Sequence, residues 1–514
     1  MNIVIIIEYA INLILLQIFY MHMFQLNSYF FKKHTHWMKV NYKKVVIQTI
    51  FEIIPIISIF IDNIVVKIIS IIALGISIIY NLPKGKSKIA LKYTNRVKRM
   101  LITEVVLFTL VLFILGIENY IILKLLILNV LSPIICTIVN LINYPIEEMI
   151  RKHYINDAKR ILKSMPNLIV IGVTGSYGKT SVKNFLVKTL SSKYEVLTTP
   201  KNYNTTMGVV KTIRENLKPI HQIFVCEMGA TKLGDIKEIC DLVNPTMGVI
   251  TAIGPQHLES FKNIENVIKT KFELADSVKK NNGVIFLNYD NEYISKQKPE
   301  MKTILYGINN EKLDYNAYNL ISTSKGLSFK IKDKEEKETE FKTKLIGKHN
   351  IVNLTAAISV ANYMGIPFEK MVSRIREINS VEHRLELIPN GNITIIDDSY
   401  NSNPVSSKSA LDALNEFEGT KIIVTPGLIE LGSDEEKYNF EFGQYMIGIC
   451  DYIFLVGEKH SKPIYDGIIS KGFDENKIYI VGSPQEAVSK ISTMGISGQI
   501  TVLLENDLPD NYNL

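Results

Sequence analysis

The chain has 514 residues, a length that accommodates about three domains. Its net charge of +7 is too small to predict nucleic acid binding, and the lack of low-complexity tracts excludes a fibrous or disordered protein. Hydrophobic residues make up 47% of the chain, charged residues make up 21%, and the mean hydropathy is +0.13. Part of the chain is therefore expected in lipid. The scattered cysteines predict neither a disulfide framework nor a zinc site.

The first 145 residues hold almost all of the long apolar runs. We predict about five transmembrane helices there, each close to the ~20 residues that cross the hydrocarbon core. Glu8 and Glu52 lie inside such runs, where an acidic side chain is by default a candidate for function. The predicted spans are Ile3–Phe24, Val45–Ile61, Ile64–Tyr80, Leu101–Ile117 and Tyr120–Ile142.

Two of the connecting loops are basic, and the other two carry Asp62 and Glu118 instead. Positive charge favours the cytoplasmic side, which places everything after residue 145 in the cytoplasm. The sequence thus predicts a multi-pass protein of the cell membrane, with membrane lipid as a partner. The basic residues are Lys32, Lys33, Lys39, Lys43 and Lys44 in one loop and Lys84, Lys86, Lys88, Lys92, Arg96, Lys98 and Arg99 in the other.

Pro145 is expected to end the last span, and Glu147–Leu162 to form an amphipathic linker helix. Beyond it, apolar strand patterns alternate with helical ones, which predicts a mainly parallel α/β sheet with an antiparallel insertion over Tyr318–Leu345. A second α/β rhythm follows residue 384. The predicted domains are 1–145, 146–384 and 385–514, and the expected strands are Leu168–Val173, Ile223–Met228, Met247–Ile253, Gly283–Asn288, Ile393–Asp398, Lys421–Pro426, Tyr452–Val456, Lys477–Val481 and Gln499–Leu504.

The strongest motif is a phosphate loop between an apolar strand and a helix, with the sequence TGSYGKTS. Its glycines let backbone N–H groups surround a phosphate, and the helix N-terminus adds its dipole. Lys179 supplies a positive charge, and the Thr180 hydroxyl can hold Mg²⁺. The general pattern requires a glycine where Val173 stands, so this loop is a shorter variant. The residues predicted to bind nucleotide here are Gly175, Ser176, Tyr177, Gly178, Lys179, Thr180 and Ser181.

Several further segments, taken in order with TGSYGKTS, resemble the Mur ligase family of ATP-dependent amide-forming enzymes. The last of them is especially similar to the D-alanyl-D-alanine-adding, MurF-type members. The resemblance covers about residues 150–440. The segments are NYNTTMGV from Asn202, CEMGATKLGDI from Cys226, GPQHLESF from Gly254, IKTKFEL from Ile268, GKHNIVNLTAA from Gly347, EHRLE from Glu382 and DDSYNSNP from Asp397.

This resemblance implies a central P-loop ATPase domain and a Rossmann-like C-terminal domain. It also implies an acid–amino-acid ligase of the EC 6.3.2 type, in which ATP phosphorylates a carboxylate to an acyl phosphate that an amine then attacks. The implied cofactors are ATP, two Mg²⁺ ions and CO₂ held as a lysine carbamate. The implied substrates are a muramyl peptide, or another cell-envelope carboxylate, and an amino acid or dipeptide amine.

Roles for individual residues follow from the same resemblance. The catalytic set is Lys179, His257, Lys271 and Arg384. Metal would be held by Thr180, Glu227, His257 and carbamylated Lys271. Further nucleotide contacts are Asn288, His349, Asn350, Asn353, Arg384 and Asp398, and the substrate side would comprise Asn202, Asn204, Thr205, Tyr400, Asn401 and Asn403.

The chain also departs from the family. Apolar spans replace the domain that binds the UDP end of the substrate, and the acidic segment LLENDLPDNY (Leu503–Tyr512) stands where the family is basic. The first departure favours a lipid-linked substrate, whereas DDSYNSNP favours soluble UDP-linked muramyl peptide. Two other classes stay open: a catalytically inactive scaffold for wall synthesis, and a transport protein with a fused regulatory ATPase.

Overall fold

A computed structural model describes residues 1–83, 90–114, 121–333, 335–400, 402–457 and 461–507. Within them the chain forms two compact units, Met1–His153 and Tyr154–Asp507. Some predicted positions lie outside the described residues. They are Asn401, the loop residues Lys84, Lys86, Lys88 and Glu118, and residues 508–512 of the acidic segment.

The first unit is helical, as its apolar composition predicts. A 3₁₀ turn at Ile54–Ile56 is its other regular element among the described residues. The helices are α1 (Asn2–Leu26), α2 (Phe31–Val40), α3 (Tyr42–Ile53), α4 (Ile57–Phe60), α5 (Ile64–Asn81), α6 (Asn95–Ile114) and α7 (Ile121–Lys163), the last of which continues into the second unit.

Three of these helices, α1, α5 and α7, are long and apolar enough to cross a membrane, rather than the five expected. The second expected span is divided, because the 3₁₀ turn that contains Pro55 separates α3 from α4. Proline lacks the amide hydrogen that continues an α-helix. The fourth expected span falls on α6, whose first half is charged through Arg96, Lys98, Arg99 and Glu104.

The prediction that Pro145 ends the last span is wrong. Helix α7 runs through Pro133 and Pro145 without interruption, so the expected linker helix is its C-terminal part. A proline inside a helix removes one backbone hydrogen bond and costs about 3 kcal/mol. The helix nevertheless continues to Lys163, 43 residues in all.

The second unit begins with a nine-stranded sheet in the order β2-β3-β1-β4-β5-β6-β7-β8-β9. Strands β1 to β7 pair in parallel, whereas β8 and β9 are antiparallel, which confirms the expected insertion. The strands are β1 (Ile169–Thr174), β2 (Val196–Thr198), β3 (Ile223–Glu227), β4 (Met247–Ile250), β5 (Val284–Asn288), β6 (Lys302–Ile308), β7 (Tyr315–Thr323), β8 (Gly326–Asp333) and β9 (Glu338–Thr343).

Helices cover both faces of this sheet. One core contains Phe185 and Leu354, and the core of the opposite face contains Ile239 and Leu274. The carboxyl ends of β1, β3, β4 and β5 meet at one edge, the usual ligand position of a parallel sheet. The helices are α8 (Lys179–Leu190), α9 (Thr206–Asn216), α10 (Asp235–Val243), α11 (Leu258–Phe261), α12 (Ile264–Lys280), α13 (Glu292–Ser295), α14 (His349–Tyr363) and α15 (Phe368–Arg376).

A second sheet has six strands in the order β10-β11-β15-β12-β13-β14, with β10 antiparallel at one edge. This arrangement confirms the expected second α/β layer. Its elements are β10 (Glu386–Asn390), β11 (Ile393–Asp398), α16 (Pro404–Asn415), β12 (Thr420–Thr425), α17 (Glu435–Tyr445), β13 (Tyr452–Val456), α18 (Ser461–Ile469), β14 (Ile478–Val481), α19 (Pro484–Thr493) and β15 (Ile500–Glu505), with 3₁₀ turns at Gly432–Asp434 and Glu475–Lys477.

Candidate active site

The phosphate loop lies between β1 and α8, as the sequence predicts. Gly178 precedes α8 with φ of +79°, a left-handed conformation that favours glycine. A Cβ atom there would also lie 2.7 Å from Oδ1 of Asn353. Ser176 exchanges hydrogen bonds of 3.1 Å with the backbone of Gly254, and Ser181 lies in the first turn of α8. The loop therefore presents the N-terminus of α8 toward the carboxyl edge of the sheet.

Lys179 folds back onto this loop. Its Nζ donates hydrogen bonds to the carbonyl oxygens of Gly175 at 2.6 Å and Ser176 at 2.9 Å. Burial lowers the pKa of Lys179 to about 8, while the Glu227 carboxylate opposes that shift and Arg384 reinforces it. A phosphate group would offer this amine the negative charge that its own surroundings supply only in part.

Glu227 ends β3 and is 2% exposed. Its Oε1 accepts a hydrogen bond from the Thr180 hydroxyl at 3.2 Å and another from Asn204 Nδ2 at 3.1 Å. Its Oε2 is buried and forms an ion pair rather than a hydrogen bond of regular geometry. A carboxylate oxygen and a hydroxyl at the end of a phosphate loop are the ligands that Mg²⁺ prefers. These residues therefore fit the predicted metal position.

Lys183 is a residue of this site that the sequence analysis missed. It is 2% exposed, and its Nζ lies 3.1 Å from Oε2 of Glu227. The same amine donates hydrogen bonds to the carbonyl oxygens of Thr199 at 3.0 Å and Lys201 at 2.8 Å. One buried cation thus links α8, the acid of β3 and the start of the NYNTTMGV segment. The sequence feature that could have identified Lys183 is its position one helical turn after Lys179.

Lys271 lies on α12 and is 2% exposed. Across the described part of the chain it forms neither a hydrogen bond nor an ion pair. Burial, followed by the nearby positive charge of Lys179, holds the pKa of Lys271 well below its usual range. Burial therefore disfavours the charged form of this amine.

His257 joins the two sheets. It has φ of +51° and precedes α11, and its Nδ1 contacts Oε2 of Glu430 on the loop after β12. The backbone N–H of Glu259 also points to the Glu430 carbonyl at 3.5 Å. Glu430 was not predicted, because nothing in the sequence relates it to His257.

The residues expected to face adenine mostly bond to protein. Asn288 donates to the Thr251 carbonyl at 2.7 Å, and Asn350 donates to the Ile346 carbonyl at 2.9 Å. Asn353 contacts the phosphate loop at Gly178, as described above. His349 differs, because its Nδ1 is buried with no hydrogen bond from the described residues, and burial lowers its pKa to about 4. His349 thus keeps a neutral ring.

Tyr177 is the aromatic residue of the phosphate-loop sequence TGSYGKTS. Its hydroxyl lies 3.5 Å from Asn291 Nδ2, and burial raises its pKa to about 12. Asn291 also donates a hydrogen bond to the Ile253 carbonyl at 2.8 Å. The tyrosine therefore stays protonated and packs against the loops that follow β4 and β5.

Arg384 and Asp398 lie where the second sheet begins. The guanidinium of Arg384 stacks 4.4 Å from the centre of the Tyr400 ring. Burial raises the pKa of Asp398 to about 7, an effect that Arg384 opposes, and the carboxylate accepts a hydrogen bond from Leu385 N at 3.2 Å. These three predicted residues are therefore brought together.

Two of the residues predicted to lie on the substrate side cap the N-termini of helices. Thr205 accepts a hydrogen bond from Gly208 N at the start of α9, and Asn403 accepts bonds from the first turn of α16. Asn202 and Asn204 form the turn before α9, in which Asn204 N donates to the Asn202 carbonyl at 2.7 Å. Asn204 alone of these directs its side chain to Glu227, as described above.

Glu505, in the acidic segment, ends β15 and is fully buried. Its carboxylate accepts hydrogen bonds from the hydroxyls of Ser402, Ser407 and Thr425. Burial raises its pKa, and those hydroxyls oppose the shift. Glu505 therefore holds the DDSYNSNP segment in place through its hydrogen bond with Ser402. The sequence did not reveal this contact.

The fold and this edge define a P-loop nucleotide-binding α/β protein. The family model of the Mur ligase middle domain matches residues 173–361, and that of the Mur ligase glutamate ligase domain matches residues 383–504. The chain belongs to the Mur ligase family, whose members are ATP-dependent amide ligases. The helical unit lies outside both matches.

Individual relatives agree with this assignment. The chain is 32% identical to UDP-N-acetylmuramoyl-tripeptide--D-alanyl-D-alanine ligase of Bacillus subtilis over 60% of this chain and 66% of that protein, just under two thirds of its length. MurF from Acinetobacter baumannii has a similar fold, with a TM-score of 0.63 and 24% identity over 70% of this chain and 77% of that one. MurF from Thermotoga maritima, solved in complex with ADP, has a TM-score of 0.63 and 23% identity over 70% of this chain and 82% of that one.

Proposed function

We propose that this protein is an ATP-dependent carboxylate–amine ligase that acts through an acyl phosphate on a cell-envelope precursor. The observation that carries the proposal is the single edge at which Lys179, Thr180 and Glu227 meet. Phosphoryl transfer requires positioning and charge neutralisation more than covalent chemistry from the protein. A phosphate loop with a cation and a buried acid supplies both.

In the first step a carboxylate oxygen of the acyl substrate attacks the γ-phosphorus of ATP, which gives the acyl phosphate and ADP. Lys179 neutralises the phosphate charge, and Arg384 and Asp398 contact the nucleotide from the second sheet. The amine then attacks the acyl carbon, loses a proton and expels inorganic phosphate, which leaves the amide. The loops that carry Tyr400 and Asn202 border the acyl group.

Thr180 and Glu227 would hold Mg²⁺, and the ion would supply positive charge to the phosphates. The contact of 3.2 Å between the Thr180 hydroxyl and Glu227 Oε1 supports this assignment, and the Lys183 amine holds the other carboxylate oxygen at 3.1 Å. His257 would hold a second ion. We infer that Lys271 is the further ligand, as a carbamate. A neutral amine is the form that adds CO₂, and the product is a carbamate anion and a released proton.

For the substrates, we propose MurF-like addition of D-alanyl-D-alanine to a muramyl tripeptide, as the printed names of the relatives describe for those proteins. A lipid-linked muramyl peptide is the second candidate. The observation that favours it is the helical unit, with three helices apolar enough to cross a membrane. We propose a multi-pass location with the catalytic domains in the cytoplasm, based on the basic loops.

The test is mass spectrometry of the amide product formed by the detergent-purified full chain. ATP, Mg²⁺ and D-alanyl-D-alanine are supplied with either the UDP-linked or the lipid-linked muramyl tripeptide. A product from the UDP-linked substrate supports the MurF-like activity, and a product from the lipid-linked substrate alone assigns substrate capture to the helical unit. No amide from either substrate, with no ADP release, would favour the inactive scaffold.

A further inference from the structure

Helices α1, α3 and α5 enclose a buried polar cluster, which we call the Glu52 cluster: Asn12, Gln48, Glu52, Ser77 and Asn81. All five side chains are 9% exposed or less, and Glu52 and Asn12 are fully buried. Ionisable groups inside a bundle of apolar helices are costly to bury and commonly mark ion or proton sites.

Inside the cluster, the N–H and O–H donors of Asn12, Asn81 and Ser77 already have hydrogen-bond acceptors. Asn12 Nδ2 donates to Glu52 Oε1 and, at 3.1 Å, to the Ser77 hydroxyl. Asn81 Nδ2 donates to Asn12 Oδ1 at 2.9 Å, and the Ser77 hydroxyl donates to the backbone carbonyl oxygen of Gln48 at 3.3 Å. The donors of these amides and of the hydroxyl therefore point at atoms inside the cluster.

Two acceptors are left over. Glu52 Oε2 and Asn81 Oδ1 are buried and accept no hydrogen bond from any residue that the structure describes. In the same described part of the chain, Glu52 forms no ion pair with a lysine, arginine or histidine. A buried carboxylate with neither a cation nor a full set of donors is strongly destabilised. Either a bound cation or a proton on Glu52 would therefore complete the cluster.

We propose that the Glu52 cluster binds one sodium ion. The available ligands are carboxylate, amide and hydroxyl oxygens, which suit a hard cation. One carboxylate charge balances a monovalent ion, whereas a divalent ion would leave a net charge among apolar side chains. The site is independent of the ATP-dependent reaction, so either proposal can fail alone.

The test is labelling of the full chain in detergent with dicyclohexylcarbodiimide, which reacts with protonated carboxyl groups in apolar surroundings. Peptide mass spectrometry locates the adduct at Glu52. In choline chloride the empty site takes up a proton and is labelled. Sodium chloride should slow labelling about tenfold once its concentration exceeds the dissociation constant roughly ninefold.

Equal labelling in sodium and in choline would overturn the proposal, because the cluster would then hold only a proton. Absence of labelling in choline would also contradict it. A second measurement uses the melting temperature, which sodium should raise in the native protein and leave unchanged in Glu52→Gln. That variant keeps the shape of the side chain. Glu148→Gln, a partly exposed acid of the same helical unit, is the control and should retain the sodium effect.

Discussion

Buried carboxylates have different partners in the two units. In the α/β unit, three hydroxyls satisfy Glu505, and Lys183 accompanies Glu227. In the helical unit, Glu52 has no cationic partner among the described residues. Where the chain supplies a donor to each oxygen, as for Glu505, the acid is structural. Where one buried oxygen has neither a donor nor a cation beside it among the described residues, as in Glu52, the structure indicates a place for a ligand.

The largest expected effect concerns the phosphate loop. Lys179→Ala removes the cation at the phosphates and should lower ATP turnover by at least about 10²-fold, since single charge-stabilising groups contribute about 10²–10³. The measurement is ADP release. Lys188→Ala, on the exposed face of the same helix, should retain turnover. Normal turnover in the Lys179 variant would exclude the phosphate loop from the reaction.

A second prediction sharpens the contrast between Lys183, which pairs with Glu227, and Lys271, which has no ion pair among the described residues. Lys271→Ala should lose most activity, and short-chain carboxylic acids should restore much of it, because they replace the carbamate. Lys269→Ala on the same helix is the control and should behave like the native enzyme. Full activity of Lys271→Ala without any added acid would remove this residue from the metal site.

The third prediction tests whether Lys183 compensates Glu227. Lys183→Met leaves the buried carboxylate without its cation and should lower the free energy of unfolding by about 3 kcal/mol. Adding Glu227→Gln should recover at least half of that loss in a double-mutant cycle measured by chemical denaturation. Simple additivity of the two losses would mean that the pair does not interact.

The smallest effect concerns His383, which has φ of +60°, a left-handed conformation that favours glycine. His383 Nδ1 lies 2.7 Å from Asp397 Oδ2, and that hydrogen bond raises the pKa of His383. Its stabilisation is complete below the unfolded pKa of about 6.5 and is lost as pH rises through the folded value.

His383→Gly should therefore be less stable than the native protein at pH 6. At pH 9 it should match or exceed native stability, because glycine relieves a left-handed conformation that costs about 1 kcal/mol. Unfolding curves at both pH values check this crossover. The same stability difference at pH 6 and pH 9 would contradict the ion pair. His221→Ala is the control for losing a surface histidine.

Local signals account for what the sequence predicted well. The phosphate loop, the strands β1, β3 and β11 and the antiparallel insertion all follow from short patterns of glycine, apolar and polar residues. The failures arise from tertiary context. Pro145 lies inside a helix that continues on both sides of it. Hydropathy alone did not locate the break in the helix at Pro55.

Residue type alone also left roles undecided. Thr205 and Asn403 suit a substrate loop and a helix cap equally well, and the structure uses both as caps. The pairing of Lys183 with Glu227 brings together residues on different elements, which no local pattern encodes. The acidic segment and the DDSYNSNP segment were likewise unrelated in the sequence, and the structure joins them through the hydrogen bond between Ser402 and Glu505.

The most direct test of the central claim is coupled detection of ADP and amide from the purified full chain, supplied with ATP, Mg²⁺, a muramyl tripeptide and D-alanyl-D-alanine. The account predicts one ADP released for each amide formed, with both lost in Lys179→Ala. ATP consumption with no amide, or amide formation that persists in Lys179→Ala, would contradict it.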